Sequence, residues 1–158
     1  MGEVRFRPAR TGEGQVLFDI TEAAVRAQAG GFYTAAQVAG WMAGRNAAVY
    51  EVVIAWGTVL VAEAQNIILG FVDTAPGEIT RLYVRPEMMG LRLGARLLAL
   101  GLAAARKGHE GPVRLEATLH AVGFYRRHGF VEVSRTMFTD PPGREPVEVV
   151  NMEYFSPD

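Results

Sequence analysis

The chain has 158 residues, 49% of them hydrophobic and 21% charged, with a formal net charge of −1; this reads as one domain spanning 1–158 with enough apolar residue to build its own core. The absence of cysteine excludes disulfides, thiolate catalysis and cysteine metal sites, and the near balance of charge argues against a nucleic-acid partner. No apolar run reaches the ~18 residues of a membrane span, and charge stands at residues 3–7 where a signal peptide would be apolar, so a cytoplasmic protein without membrane association is expected.

Residues 4–7 alternate apolar and charged side chains, as in a half-buried strand. From 13 to 29, Val16, Leu17, Ile20, Ala24 and Ala27 recur at helical spacing until Gly30-Gly31. Thr34-Ala35-Ala36-Gln37 has the form of a capping box opening a helix to Gly44, and Asn46 reads as the N-cap of another. In that third helix Val49, Val52, Val53 and Trp56 fall on one face, and Gly57 ends it. The period then changes to two. Residues 58–63 and 67–73 are predicted strands joined by a turn at Gln65-Asn66, and 78–84 is a third after Ala75-Pro76-Gly77. The longest helical pattern spans 90–107. A strand at 112–117, a short helix at 120–128 and strands at 130–137 and 147–154 follow, the last after a Pro141-Pro142-Gly143 turn. The order predicts an α+β fold with a mixed, mostly antiparallel twisted sheet flanked by helices, and one βαβ step around the long helix.

The informative stretch is Leu82-Tyr83-Val84-Arg85-Pro86-Glu87-Met88-Met89-Gly90-Leu91-Arg92-Leu93-Gly94-Ala95-Arg96. A strand ends at the proline, a tight loop follows and a helix begins near Gly90. Free N–H groups at a helix start, aided by the helix dipole, favour an anion there. Gly90 and Gly94 would let a phosphate approach the backbone, while Arg85, Arg92 and Arg96 could add positive charge. By itself this pattern also fits an α/β domain without any ligand.

The stretch resembles the acetyl-CoA pyrophosphate loop of the GNAT superfamily of N-acetyltransferases. A second resemblance lies at Leu115-Glu116-Ala117-Thr118-Leu119-His120-Ala121-Val122-Gly123-Phe124-Tyr125-Arg126-Arg127-His128-Gly129-Phe130, where that superfamily carries a strand, a short helix with a tyrosine and then Gly-Phe. Together the two cover nearly the whole chain. There are departures: Met89 stands at the family's Gln/Arg, Arg92 at its first glycine and His120 at a common Asn. A helical start has negative φ, so Arg92 is allowed there if its side chain points away, and it then either reaches the phosphates itself or crowds them.

The resemblance implies an α+β GNAT-like fold and acetyl-CoA as co-substrate, with no metal. It implies coenzyme binding at Leu82, Tyr83, Val84, Met89, Gly90, Leu91, Arg92, Leu93, Gly94, Ala95, His120 and Phe124, and a splay between 78–84 and 112–117 that frees the backbone of Leu82, Tyr83 and Val84. Tyr125 is the implied general acid. Its phenol, with an ordinary pKa near ~10, is protonated at working pH and matched to a thiol near ~8.5. Glu78 is the implied base, directly or through water; His120 ranks below it. The alternatives are a packed Tyr125 with its hydroxyl in solvent and a solvated strand-end Glu78. Phe32, Tyr33 and Trp41 are candidates for lining an acceptor pocket. The expected acceptor is a primary amine of a small molecule or peptide, and family habit allows a homodimer. The rival reading is a non-catalytic acyl-CoA-binding or interaction module.

Overall fold

The computed structural model describes residues 2–138 and 145–155. The predicted Pro141-Pro142-Gly143 turn lies outside them. The elements run β1 (Arg5–Pro8), α1 (Gly14–Gln28), α2 (Ala35–Met42), α3 (Ala47–Ala55), β2 (Val59–Ala64), β3 (Ile67–Ala75), β4 (Glu78–Val84), α4 (Leu93–Arg106), β5 (Val113–Thr118), α5 (Val122–Arg127), β6 (Phe130–Phe138) and β7 (Val147–Tyr154). Single 3-10 turns stand at Pro86–Met88 and Leu119–Ala121. The strands form one sheet in the order β1-β2-β3-β4-β5-β7-β6, antiparallel except for the β4–β5 pair.

Local signals act as their chemistry requires. Thr34 Oγ1 accepts from the Gln37 N–H while the Gln37 side chain accepts from the Thr34 N–H, a complete capping box. Asn46 caps α3 by accepting from the Val49 N–H. The β2–β3 hairpin turns on Gln65 and Asn66, with φ of 52° and 64°, so a two-residue turn matched to the twist of its strands forms without glycine.

Helices cover both faces of the sheet. On one, Leu97 and Leu98 of α4 and Tyr125 of α5 join Val72, Ile79, Leu115, Val150 and Met152 in a continuous core. On the other, Leu17 and Ile20 of α1 and Tyr50, Val53 and Ile54 of α3 pack against Val61 and Phe71. The long helix sits close because glycines face each other's neighbours: a Cβ on Gly101 would stand 2.9 Å from Val72 Cγ2, and one on Gly70 would stand 3.2 Å from Leu97 Cδ1.

Two expectations need correction. The apolar face predicted for α3 is not its core face: of its four members only Val53 is buried, whereas Val49, Val52 and Trp56 are 39%, 54% and 65% exposed. Tyr50, Val53 and Ile54 seat the helix instead. The α3 sequence is apolar nearly all round, so periodicity alone could not choose the buried stripe. The second concerns α4, which begins at Leu93 rather than Gly90. Gly90 and Arg92 both adopt left-handed backbone, φ 82° and 63°, so the expected negative φ at Arg92 is overturned.

Candidate functional site

Two local events open the sheet at β4. First, Arg81 pairs with Asp73 and Ile79 with Thr74, which leaves Thr80 as the extra residue of a β-bulge. The bulge is clamped from inside. The buried Asp73 carboxylate accepts from the hydroxyls of Thr58 and Thr80 (the latter at 2.6 Å) and from Arg81 Nη1 at 2.8 Å. Second, the parallel β4–β5 ladder consists of one bridge, Glu78 to Arg114. Beyond it the strands part. The edge of β4 that carries Leu82, Tyr83 and Val84 therefore has no ladder partner on β5, and a cleft of about 1280 Å³ occupies the gap. That volume exceeds the ~300–1,000 Å³ of an ordinary small-ligand pocket and suits two ligands meeting end to end.

The loop after β4 forms one end of the cleft. Pro86–Met88 makes a 3-10 turn, and the chain then passes through left-handed Gly90 and Arg92 into α4. Among the described residues, the N–H groups of residues 90–95 find no intramolecular acceptor; the first helical bond is Arg96 N–H to the Arg92 carbonyl. A run of free N–H groups at alternating left- and right-handed backbone, on the first turn of a helix, is a concavity suited to phosphate oxygens. Gly90 has open space where a side chain would stand, and a Cβ on Gly94 would meet the Phe124 ring at 3.5 Å. Phe124 thus walls the helix start on the α5 side.

The structure brings most of the predicted site residues together. Glu78, Leu82, Tyr83, Val84, Met89, Gly90, Arg92, Leu93, Gly94, Ala95, His120, Phe124 and Tyr125 all line the cleft. Leu91 does not: it stands beside the loop and is 56% exposed. The three arginines differ. Arg92 lines the cleft, but Arg85 Nε donates to the Ile68 carbonyl at 2.7 Å and the Arg96 guanidinium stacks on Phe6 at 4.8 Å. Arg127 of α5, which carries no sequence signal of its own, also lines the cleft. Of the aromatic candidates, Phe32 and Trp41 line the cleft, whereas Tyr33 is a staple. Its hydroxyl donates to the Glu148 carbonyl at 2.7 Å and accepts from the Leu119 N–H at 2.8 Å, tying β7 to the end of β5.

Tyr125 is buried, with its ring edge-on to Phe124 and Phe130 at 5.2 and 5.6 Å. Burial, with a smaller contribution from Tyr83, pushes its pKa well above the ordinary tyrosine value and keeps the proton on the phenol. Tyr83, on β4, lines the same cleft, its pKa pushed up to about 12 by burial and by Tyr50, against the opposing pull of Arg45 and Arg81. Glu78 is partly exposed at the far end of β4, 3.6 Å from Arg114. His120 has Nε2 3.3 Å from Thr118 Oγ1 and a buried Nδ1 that finds no partner among the described residues; burial pushes its pKa down, which favours the neutral ring.

A family model described as an acetyltransferase (GNAT) domain matches residues 31–153. The chain belongs to the GNAT family. Its solved relatives in fold agree over almost their full lengths. A GCN5-related N-acetyltransferase from Rhodopseudomonas palustris superposes with a TM-score of 0.87 at 23% identity, covering 99% of this chain and 98% of that one. The PaiA N-acetyltransferase of Thermoplasma acidophilum, solved with coenzyme A, gives a TM-score of 0.75 at 20% identity, covering 98% and 99%. YncA of Salmonella typhimurium, solved with acetyl-CoA, gives 0.67 at 18%, covering 99% of both chains. No curated protein matched the sequence. The GNAT fold accounts for the α+β architecture, and no helix among the described residues is long and apolar enough to cross a membrane.

Proposed function

We propose that this GNAT chain is an acetyl-CoA-dependent N-acetyltransferase that acts on a primary amine by direct transfer. The observation that carries the reading is a juxtaposition: the unpaired edge of β4 at residues 82–84 leads straight into the free N–H groups of residues 90–95, with Tyr125 on the facing wall of one cleft. Acetyl-CoA supplies the acetyl group as a thioester and departs as the free thiol. The N–H groups of residues 90–95, with Arg92 and Arg127, suit its pyrophosphate. The open backbone of Leu82, Tyr83 and Val84 suits the amide-bearing arm and the acyl oxygen, since groups preset in a water-poor cleft act without reorganising.

The proton bookkeeping assigns the remaining roles. A new C–N bond forms and the C–S bond breaks, so one proton must leave the nitrogen and one must reach the sulfur. Glu78 accepts the first, directly or through water. Tyr125 donates the second; burial holds the proton on its phenol at neutral pH.

A thermal-unfolding scan with acetyl-CoA, with free CoA and ATP as controls, tests the donor site. Ligand at about a hundredfold over its dissociation constant adds ~2.7 kcal/mol, or roughly 5–10 °C for a chain of this size. The acid is tested by Tyr125→Phe, which should lower kcat at least ~100-fold and leave acetyl-CoA affinity unchanged. Absence of a shift at millimolar acetyl-CoA removes the donor site. A fully active Tyr125→Phe assigns the protonation to another group.

A further inference from the structure

Besides the phosphate loop, the cleft is lined by side chains that the acetyl-transfer reading leaves unused, Arg45, Arg81 and Trp41 among them. Arg45, between α2 and α3, lines the cleft with its guanidinium carbon 5.0 Å from the centre of the Trp41 ring. It has no acidic partner among the described residues, unlike Arg7, Arg81, Arg114 and Arg135. Arg81 reaches the same space from the β4 bulge, with one nitrogen on Asp73 and the rest of its fork uncommitted. A guanidinium that lies over an indole and has no acidic partner among the described residues suits a carboxylate, because the contact with the ring orders the side chain before the anion arrives.

Apolar surface surrounds these charges. Trp41 packs on Phe138 at 5.1 Å, and Val49 and Trp56, two of the three exposed members of the predicted α3 face, line the same cleft. Glu78 supplies a carboxylate on the same cleft. An anion-binding pair, an aromatic and aliphatic wall and a carboxylate for an ammonium group are the complement of one kind of molecule.

We propose that the acceptor is an amine that carries its own carboxylate and an apolar body, as an amino acid with a large aliphatic or aromatic side chain does. Its carboxylate is held by Arg45 with Arg81, its apolar body lies against Trp41, Val49 and Trp56, and its amine faces Glu78 and the open edge of β4. This rests on the acetyl-transfer reading of the cleft. Polycationic amines are disfavoured, since each added charge meets the two arginines.

The test is release of CoA thiol from acetyl-CoA by the intact protein with matched acceptors. Phenylalanine and leucine are compared with phenethylamine and isoamylamine, which keep the amine and the apolar body but lack the carboxylate, and with phenylalaninamide and spermidine. The amino acids should be turned over with kcat/KM at least about tenfold above the matched amines, a difference of ~1.4 kcal/mol. Arg45→Gln should raise KM for the amino acids about tenfold or more and leave the matched amines unchanged, with Arg45→Lys in between. An unaltered melting temperature shows that these variants fold. Equal or better turnover of the carboxylate-free amines or spermidine overturns the proposal, as does a preference that survives Arg45→Gln. A protein stabilised by acetyl-CoA that turns over no member of the panel overturns the acceptor proposal alone. A protein that acetyl-CoA does not stabilise overturns the donor reading and this proposal with it.

Discussion

Arg92 is the residue at which the loop departs most from an easy backbone, and it makes a quantitative prediction. It caps α4 at φ 63° and ψ 11°, where Cβ crowds the neighbouring carbonyl at a cost of about 1–2 kcal/mol. Its side chain is exposed and forms no hydrogen bond or ion pair among the described residues, so replacement forfeits no intramolecular contact. Arg92→Gly removes the steric cost and adds the larger entropy loss of glycine, about 0.5–1 kcal/mol. The balance is a stabilisation of about 0.5–1 kcal/mol, or roughly 1–4 °C in melting temperature. Arg92→Ala keeps Cβ and the left-handed backbone and should leave the melting temperature where it is. Both variants lose the cation at the phosphate end, so both should bind acetyl-CoA about three- to tenfold more weakly, and less so at high salt. Thermal unfolding without ligand and calorimetric titration with acetyl-CoA measure the two effects separately. The strain argument is refuted if Arg92→Gly melts below the parent, or if Arg92→Ala gains as much as Arg92→Gly. Unchanged affinity in both would remove the guanidinium from the phosphate site.

Two further outcomes follow from the same geometry. Tyr33→Phe deletes one hydroxyl that donates to the Glu148 carbonyl and accepts from the Leu119 N–H, so chemical denaturation should show a loss of about 1–3 kcal/mol; a loss under about 0.5 kcal/mol would mean that water replaces the staple. Burial raises the pKa of Tyr33, Tyr83 (to about 12) and Tyr125 above the ~10 of an unfolded chain, so the unfolded state gives up protons first as pH rises. Stability from these groups is therefore intact below pH ~10 and is lost above it, each tyrosine contributing ~1.4 kcal/mol per pH unit until its folded pKa is passed. Denaturant midpoints between pH 8 and 11 check the sign, and Tyr83→Phe should flatten the alkaline fall.

Much of this molecule is written locally. The capping box at Thr34, the cap at Asn46, the turn at Gln65-Asn66 and the change of period after Gly57 each depend on a few adjacent residues, and the structure reproduces the predicted order of elements. The loop from Pro86 to Gly94 and the Phe124-Tyr125 pair were legible for the same reason, since their spacing is itself the signal. What depended on distant partners was not. Which stripe of α3 is buried was decided by α1 and the sheet, because every stripe of that helix is apolar enough to serve. The α4 start moved to Leu93 because the chain must turn through two left-handed residues to bring α4 back onto Gly70 and Val72. Tyr33 became a staple because the carbonyl of Glu148, remote in sequence, meets its hydroxyl. The proposed acceptor side of the cleft was legible only in part: Trp41 and Glu78 stood out as candidates, but Arg45, between α2 and α3, and Arg81, on β4, carried no signal of their own, and the bulge at Thr80 and the single bridge at Glu78 part the strands so that all four line one space. Local interactions of a few residues specify elements, whereas a site assembled from several elements exists only once long-range packing has repaid the entropy of bringing them together.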